Sequence, residues 1–217
     1  YGLDATYDWD QADTPAGVRR ETLLPSAAGV EAAQVWAAVQ GALQRLNPAA
    51  VGVPGWSHPM ALAALAWARR LGRIAVLMSD STAWDEPRRW HKERIKRLLV
   101  SRFGGALAAG RPHADYLAGL GMPRARIACG YDVVDNEHFA RGAAQARQAA
   151  DGWRARLGLP ARYFLASARF VDKKNLAGLL RAYARYRQAA GAAAWHLVLL
   201  GDGPLRDELE GIAPDNV

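Results

Sequence analysis

The stretch FLASARFVDKKNL, residues 164–176, decides the fold of the second part of this chain. It begins as an apolar run of strand length, passes through a short basic segment, and leads into a pattern of apolar residues at helical spacing. A second apolar run, WHLVLL at 195–200, follows that helix and ends in the loop GDGP. Strand and helix therefore alternate, and this order predicts parallel strands in an α/β domain.

The same alternation runs through the first part of the chain. Helices are predicted at 30–46, 58–72, 85–103 and 112–121, and strands at 50–54, 73–79, 105–110 and 126–130. In the second part, the pattern predicts strands at 162–169 and 195–200 and helices at 173–190 and 204–211. This order predicts parallel sheets that helices cover on both faces.

An alanine- and arginine-rich segment at 136–158 interrupts the alternation, and we interpret it as a boundary that carries a polar helix. The predicted organisation is a first Rossmann-like domain at 1–140, a linker and helix at 141–160, and the start of a second Rossmann-like domain at 161–217. Because a sheet of two strands leaves an edge and a face uncovered, we expect the natural second domain to be longer.

The composition is that of a soluble globular protein with a net charge of +7, which favours anionic partners: phosphates, acidic lipid surfaces or nucleic acid. No apolar run approaches the roughly 18–20 residues that a membrane-spanning helix needs. The one cysteine, Cys129, excludes an internal disulfide and fits a reducing compartment. We expect Cys129 to be buried at a strand end, and we predict a cytoplasmic protein.

Several basic residues lie in the segment that connects the first strand of the second domain to the helix that follows. Arg169 ends the strand, and Lys173, Lys174 and Asn175 open the helix. Ligands of open α/β sheets bind outside the carboxyl ends of the strands. Basic side chains at a helix N-terminus oppose the helix dipole by about 0.3–1 kcal/mol, so a bound anion such as a diphosphate would offset that cost.

The loop after the second strand also suits a phosphate ligand. Gly201 and Gly203 flank Asp202 and would let the backbone approach a ligand closely, and Pro204 suits the first turn of the next helix. Either loop alone is typical of a plain strand-to-helix turn or of solvated surface. Two such loops at successive strand ends favour a nucleotide-phosphate site.

These residues resemble a known family. ASARFVDKKNLAGLLRAYARY and WHLVLLGDGPLRDELE resemble the start of the C-terminal domain of family 4 retaining glycosyltransferases, which have the GT-B fold. The segment GYDVVDNEHF at 130–139 resembles the exit from the N-terminal domain of that family. The resemblance covers roughly residues 50–211, with Ala168 standing where the family has a glycine.

The resemblance implies an enzyme that moves a sugar from a nucleotide diphosphate sugar to an acceptor hydroxyl with retention, in polysaccharide, glycolipid or other glycoconjugate synthesis. It implies that two catalytic cations hold the donor diphosphate and that neither a metal nor another cofactor is needed. The cations are Arg169 and Lys174, and the other implied donor-binding residues are Asn175, Gly201, Asp202, Gly203 and Pro204. Lys173 is one residue off the matching position and is expected to face solvent.

The chain departs from the family pattern in the first domain. Where the family has a histidine after a strand, this chain has Ser79, Asp80 and Ser81. Asp80 and Ser81 are candidates for contacting the acceptor, although Asp80 suits a turn cap equally well. The glycine-rich loop of the N-terminal domain and the paired glutamates of the donor site are not found. We therefore expect a fragment, incomplete at both ends, with little or no turnover alone.

A basic segment at 86–102 has two interpretations. It is either a solvated helix face, with Glu93 paired to Arg97, or a surface for peripheral contact with the inner membrane face. Its basic residues are Arg88, Arg89, Lys92, Arg94, Lys96, Arg97 and Arg102, with Trp84 and Trp90 nearby.

Other functions stay open at this stage. Among enzymes, the alternatives are a GT-B epimerase and an inverting transferase. A non-catalytic nucleotide-binding Rossmann-like module and a basic nucleic-acid binder are the rivals from other classes. No G-x-G-x-x-G after a strand, no Walker A sequence and no zinc-finger spacing occurs, so we expect a nucleotide sugar and a carbohydrate or lipid-linked acceptor as partners, and no nucleic acid.

Overall fold

A computed structural model of the protein describes residues 16–25, 29–215 and 217. The chain divides into two compact units, of which the first ends at Val134 and the second begins at Asp135. The polar segment after Asp135 forms two helices, α5 (Asn136–Gln148) and α6 (Ala150–Leu157), which belong to the second unit.

The first unit is an alternation of helices and parallel strands, as predicted. Its helices are α1 (Ala32–Leu46), α2 (Pro59–Arg70), α3 (Trp90–Val100) and α4 (Arg111–Gly119). Its strands are β1 (Ala50–Pro54), β2 (Ile74–Ser79), β3 (Gly105–Ala108) and β4 (Ile127–Cys129), and they pair in parallel in the order β1-β2-β3-β4.

Local sequence signals mark where the first helices begin and end. The His58 side chain accepts a hydrogen bond from the Met60 N–H, and Pro59 occupies the first turn of α2, where its missing N–H costs nothing. Asn47 ends α1 in the left-handed conformation, with φ of 43°, and its N–H caps the Leu43 carbonyl.

The core of the first unit lies on one face of the sheet. Ala75, Leu77 and Ser79 are buried, whereas the intervening Ile74 is exposed, because successive strand residues point to opposite faces. The prediction of helices on both faces is therefore wrong for the described residues. The physical reason is that right-handed crossovers between strands added in one direction place their helices on the same side.

Helix α3 is shorter than predicted. It begins at Trp90 rather than at 85, because Pro87 disfavours helical conformation at the residue before it. It ends at Val100 rather than at 103. The helical spacing of Ile95, Leu98, Leu99 and Phe103 predicts one buried apolar stripe, which is wrong in part, since Ile95 and Leu98 are exposed while Phe103 is buried. Cys129, expected to be buried, is also exposed.

The second unit contains a two-stranded parallel sheet. β5 (Tyr163–Ser167) pairs with β6 (His196–Leu200), and α7 (Leu176–Ala190) and α8 (Arg206–Ile212) complete the unit. Its small core consists of Phe170, Leu176, Leu180, Tyr183, Leu197 and Leu209. α7 starts three residues later than predicted because Asp172–Lys174 forms a 3-10 turn, and α8 starts at Arg206 rather than at 204.

Across residues 16–25, 29–215 and 217, no helix is long and apolar enough to cross a lipid bilayer.

Candidate functional site

Two loops of the second unit leave the carboxyl ends of neighbouring parallel strands. The first runs from β5 to α7 over residues 168–175, and the second runs from β6 to α8 over 201–205. The Ala168 N–H donates to the Leu200 carbonyl at 3.0 Å, and the Phe170 N–H donates to the Asp202 carbonyl at 2.8 Å. The Leu205 N–H donates back to the Phe170 carbonyl at 3.1 Å. The two loops are therefore held together as one backbone unit.

The two glycines of the second loop are explained by this contact between loops. Gly201 and Gly203 have φ of +154° and +152°, which side-chain-bearing residues rarely adopt. A Cβ at Gly201 would lie 1.9 Å from the Ala168 carbonyl oxygen, and one at Gly203 would lie 2.6 Å from the Phe170 oxygen. The sequence predicted that these glycines let the backbone approach a ligand. In the structure they approach the neighbouring loop.

Asp202 pairs with an arginine that the sequence analysis did not single out. Its carboxylate accepts hydrogen bonds from Arg206 Nε at 2.9 Å and from the Gly203 N–H at 2.7 Å. The Arg206 bond, followed by the Gly203 bond, lowers the pKa of Asp202 below its ordinary value. Arg206 also contacts Glu210, and its guanidinium lies 5.7 Å from the Phe170 ring centroid. The i, i+4 spacing of these charges was the available signal.

The first loop carries the predicted cations. Arg169 follows β5 and is half-buried, and Lys174 is the last residue of the 3-10 turn with its side chain exposed. The described part of the chain offers the Lys174 ammonium no hydrogen-bond or ion-pair partner. Asn175 adopts φ of 50°, and its amide packs so closely on the first turn of α7 that a Cβ at Gly178 would lie 2.6 Å from it. The predicted donor-side residues thus lie on two interlocked loops.

The first unit contains a cavity of about 510 Å³. Its lining comes from the chain after β1, from the chain after β2, and from α2, α3 and α4. Ser81, a predicted acceptor-side residue, lines this cavity, whereas Asp80 is exposed and does not. The lining residues are Trp56, Ser57, Leu62, Ser81, Thr82, Asp85, Glu86, Arg88, Lys92, Ile95, Lys96, Leu99 and Tyr116.

A charged cluster borders this cavity. Glu93 accepts from Arg88 at 2.9 Å, from the Tyr116 hydroxyl at 3.2 Å, and pairs with the Lys96 ammonium at 3.3 Å. The Tyr116 hydroxyl in turn accepts hydrogen bonds from Arg88 and Lys96. Glu93 therefore does not form the predicted pair with Arg97. Burial alone would raise the pKa of Glu93, but the hydrogen bonds from Arg88 and Lys96 outweigh it and lower that pKa.

The same arginine holds the loop between β2 and α3. Arg88 Nη2 donates to the Thr82 carbonyl at 2.6 Å, and its Nε donates to the Ala83 carbonyl. Asp85 accepts from both the Thr82 hydroxyl and the Thr82 N–H, and the hydroxyl bond is the first cause of its lowered pKa. These contacts join residues three to six positions apart in the chain, and hydrophobic periodicity holds no signal for which polar side chains meet. They fix the loop that carries Ser81.

The comparisons with known proteins concern this fold. No protein-family model matches the chain, and no curated protein does. Among solved structures, UDP-N-acetylglucosamine 2-epimerase from Rickettsia bellii is similar with a TM-score of 0.54 and 17% identity, covering 88% of this chain and 50% of that one. UDP-GlcNAc 2-epimerase from Neisseria meningitidis bound to UDP-GlcNAc gives a TM-score of 0.55 and 13% identity, covering 86% and 51%.

A third structure, S. aureus MnaA with UDP, gives a TM-score of 0.52 and 12% identity, covering 92% of this chain and 52% of that one. The chain spans about half the length of these proteins. Structural similarity at such low sequence identity shows the fold alone. The chain thus has the α/β fold of the GT-B type, with Rossmann-like parallel sheets, as the sequence predicted.

Replacing Gly203 by alanine should destabilise the second unit by about 1–3 kcal/mol, because the new Cβ would meet the Phe170 carbonyl and force the two loops apart. Urea unfolding followed by circular dichroism measures the change. Gly211→Ala is the matched control, since this glycine of α8 has open space around it and alanine favours helix. Equal stability of both variants would contradict the loop contact.

Replacing Glu93 by glutamine should lower the free energy of unfolding at neutral pH by about 1–3 kcal/mol, because Arg88 and Lys96 lose a charged acceptor. The folded pKa of Glu93 lies below its unfolded value. The stabilisation is therefore complete above about pH 4.3 and is lost as the pH falls through the folded pKa.

Urea unfolding at a series of pH values tests this expectation. The difference between wild type and the Glu93→Gln variant should be constant near neutral pH and shrink in acid. Glu208→Gln, at an exposed position of α8, is the control and should change stability at neutral pH by no more than about 0.5 kcal/mol. A Glu93→Gln difference that is the same at every pH would show that the carboxylate charge does not organise the cluster.

Proposed function

We propose that this chain is part of a family 4 glycosyltransferase that moves a sugar from a nucleotide diphosphate sugar to an acceptor hydroxyl with retention of configuration. The observation that carries the proposal is the pair of interlocked loops at the carboxyl ends of β5 and β6. Lys174 stands on the first loop with no partner among the described residues, and Arg169 precedes it on the same loop. This edge of a parallel sheet is where nucleotide ligands bind.

In this proposal the two cations act on the donor diphosphate. The planar guanidinium of Arg169 can donate two parallel hydrogen bonds to phosphate oxygens, and the Lys174 ammonium supplies a compact charge. Both stabilise the negative charge that builds on the diphosphate as the glycosidic bond breaks, an effect of about 3–4 kcal/mol for one such donor. The proposed enzyme therefore needs no metal and no other cofactor.

Asp202 has a different role in this proposal from the one expected at first. Its carboxylate is held by Arg206 and by the Gly203 N–H, so it shapes the second loop rather than binding the nucleotide directly. The backbone around Gly201 and Gly203 then forms the floor of the donor site. Asn175 supports the turn that presents Lys174.

In this proposal the acceptor substrate binds to the first unit. The cavity beside α3 combines hydroxyls, such as that of Ser81, with aromatic and aliphatic walls, and this mixture suits a carbohydrate or a lipid-linked acceptor. Asp80 lies one residue before Ser81, outside that lining. We include in the proposal a cytoplasmic location and peripheral contact of α3 with the inner membrane face. We expect no nucleic-acid partner.

A UDP-sugar 2-epimerase is the second candidate. The observation in its favour is that the similar structures from Rickettsia bellii and Neisseria meningitidis are UDP-GlcNAc 2-epimerases, the second with UDP-GlcNAc bound. Both reactions require a site for the nucleotide diphosphate. They differ in outcome, since a transferase forms a bond to an acceptor hydroxyl whereas a 2-epimerase inverts carbon 2 of the sugar. The KKNL sequence at 173–176, which spans the 3-10 turn and the first residue of α7, favours the transferase.

A nucleotide panel tests the donor site. UDP, GDP and their sugars are expected to raise the melting temperature of the protein at its full natural length, by mass action on the folded state. Lys174→Ala and Arg169→Ala should each abolish the shift. Lys173→Ala is the matched control, because it removes a neighbouring exposed charge at a position expected to face solvent, and it should retain the shift. A shift that survives Lys174→Ala and Arg169→Ala would place the site elsewhere.

The reaction itself is tested by following the bound nucleotide sugar with NMR in the presence of EDTA. A retaining transferase should release the nucleoside diphosphate and form a glycoside with unchanged anomeric configuration, and EDTA should not reduce the rate. An acceptor analogue that carries a free hydroxyl should be required. Appearance of the 2-epimer without an acceptor would establish the second candidate, and loss of activity in EDTA would show that a metal takes part.

A further inference from the structure

The solvent side of α3 has an unusual composition, and we call it the outer face: Trp90, Arg94, Ile95, Arg97 and Leu98. Trp90, Arg94 and Leu98 are spaced four residues apart and so form one row along the helix. The exposed fractions are 73% for Trp90, 58% for Ile95 and 56% for Leu98. Three large apolar side chains are therefore left in water beside two arginines.

The acidic residue of α3, Glu93, points away from the outer face. Glu93 lies on the inner row with Lys96 and Val100, and it is held there by Arg88, Lys96 and Tyr116. The outer face consequently carries positive charge with no negative side chain to offset it. Arg94 and Arg97 have no ion-pair partner among the described residues.

The basic residues of the 86–102 segment differ in whether other side chains of the described chain hold them. Arg88 and Lys96 are engaged with Glu93 and Tyr116, and Lys92 lines the cavity. The other basic residues, Arg89, Arg94, Arg97 and Arg102, are exposed and have no ion-pair partner in the part of the chain that the structure describes. Trp84, in the loop before α3, is 72% exposed.

We propose that the outer face of α3 docks onto the surface of an anionic lipid bilayer. This inference rests on the membrane contact included in the proposed function and names its residues and its lipid chemistry. Tryptophan and aliphatic side chains enter the boundary between headgroups and acyl chains, while arginines bind the lipid phosphates and carboxylates. Nucleic-acid interfaces are polar and would leave Ile95 and Leu98 without apolar surroundings, so the lipid surface fits the composition better.

The position of the outer face beside the cavity also determines how an acceptor would reach that cavity from a membrane. Ile95 belongs to the outer face and also lines the cavity with Leu99, Lys92 and Lys96. A helix that lies on the bilayer would therefore bring the cavity next to the lipid headgroups. An acceptor anchored in the membrane could enter the cavity with its polar end while its acyl chains stay in the bilayer.

Vesicle sedimentation tests the proposal on the full-length protein without any nucleotide. Binding is expected to vesicles of phosphatidylcholine with phosphatidylserine and to be much weaker with phosphatidylcholine alone. Salt should weaken it, because the attraction is screened. Arg94→Gln and Arg97→Gln should each reduce binding about 5-fold, and Trp90→Ala with Leu98→Ala should reduce it at least about 10-fold.

Matched controls separate this face from general charge and hydrophobicity. Arg69→Gln and Arg126→Gln each remove one charge from an exposed position elsewhere in the first unit, and Leu46→Ala with Leu71→Ala removes exposed apolar groups. These variants should bind vesicles like the wild type. Circular dichroism checks that each outer-face variant keeps the native fold.

The outcomes are distinct. Equal binding to neutral and anionic vesicles, no binding to either, or unchanged binding by the outer-face variants would each overturn the proposal. Binding of duplex DNA that depends on Arg94 and Arg97, with no vesicle binding, would assign the face to nucleic acid instead. The assay contains no nucleotide, so it is independent of the nucleotide panel. Binding to vesicles without a nucleotide-induced melting shift would contradict the proposed function and leave the docking of the outer face supported.

Discussion

The close contact between the loops after β5 and β6 is the constraint on which the candidate donor site depends. Two backbone hydrogen bonds join the loops and a third joins Ala168 to the end of β6. Two glycines allow the approach, because any Cβ would overlap the Ala168 or Phe170 carbonyl. The approach leaves the 3-10 turn and Lys174 at the sheet edge. A phosphate that binds there meets a surface built by both loops together, and neither loop could keep this shape alone.

Glu93 plays a comparable organising part in the first unit. It lies one turn into α3 and gathers Arg88, Lys96 and the Tyr116 hydroxyl, so that one carboxylate connects the β2–α3 loop, α3 and α4. Removing one partner of such a group leaves the others poorly paired, which is costly when the site is partly buried. The cavity wall and the direction in which α3 presents its outer face both follow from this cluster.

The sequence predicted the alternation of elements and the parallel strands well, because hydrophobic periodicity reports burial directly. It failed where particular side-chain contacts decide. The helix predicted from 85 begins at Trp90, because Pro87 disfavours helical conformation at residue 86 and the Arg88 side chain binds the nearby carbonyls of Thr82 and Ala83. The loops bearing Arg169 and Gly201 were predicted from turn residues. The Asp202–Arg206 pair was missed although its i, i+4 spacing is visible in the sequence, because spacing alone does not show which charged side chains meet.

The distribution of internal ion pairs separates structural cations from those available to ligands. Arg206 and Lys96 are each held by carboxylates of the same unit, so a phosphate would have to compete with an existing pair for either of them. Lys174, Arg94 and Arg97 have no such partner among the described residues, and their charge is open to an external anion. The donor diphosphate and the anionic bilayer are thus proposed for one physical reason: the fold pairs some of its cations with its own carboxylates and leaves others, including those at the two proposed sites, open to an external anion.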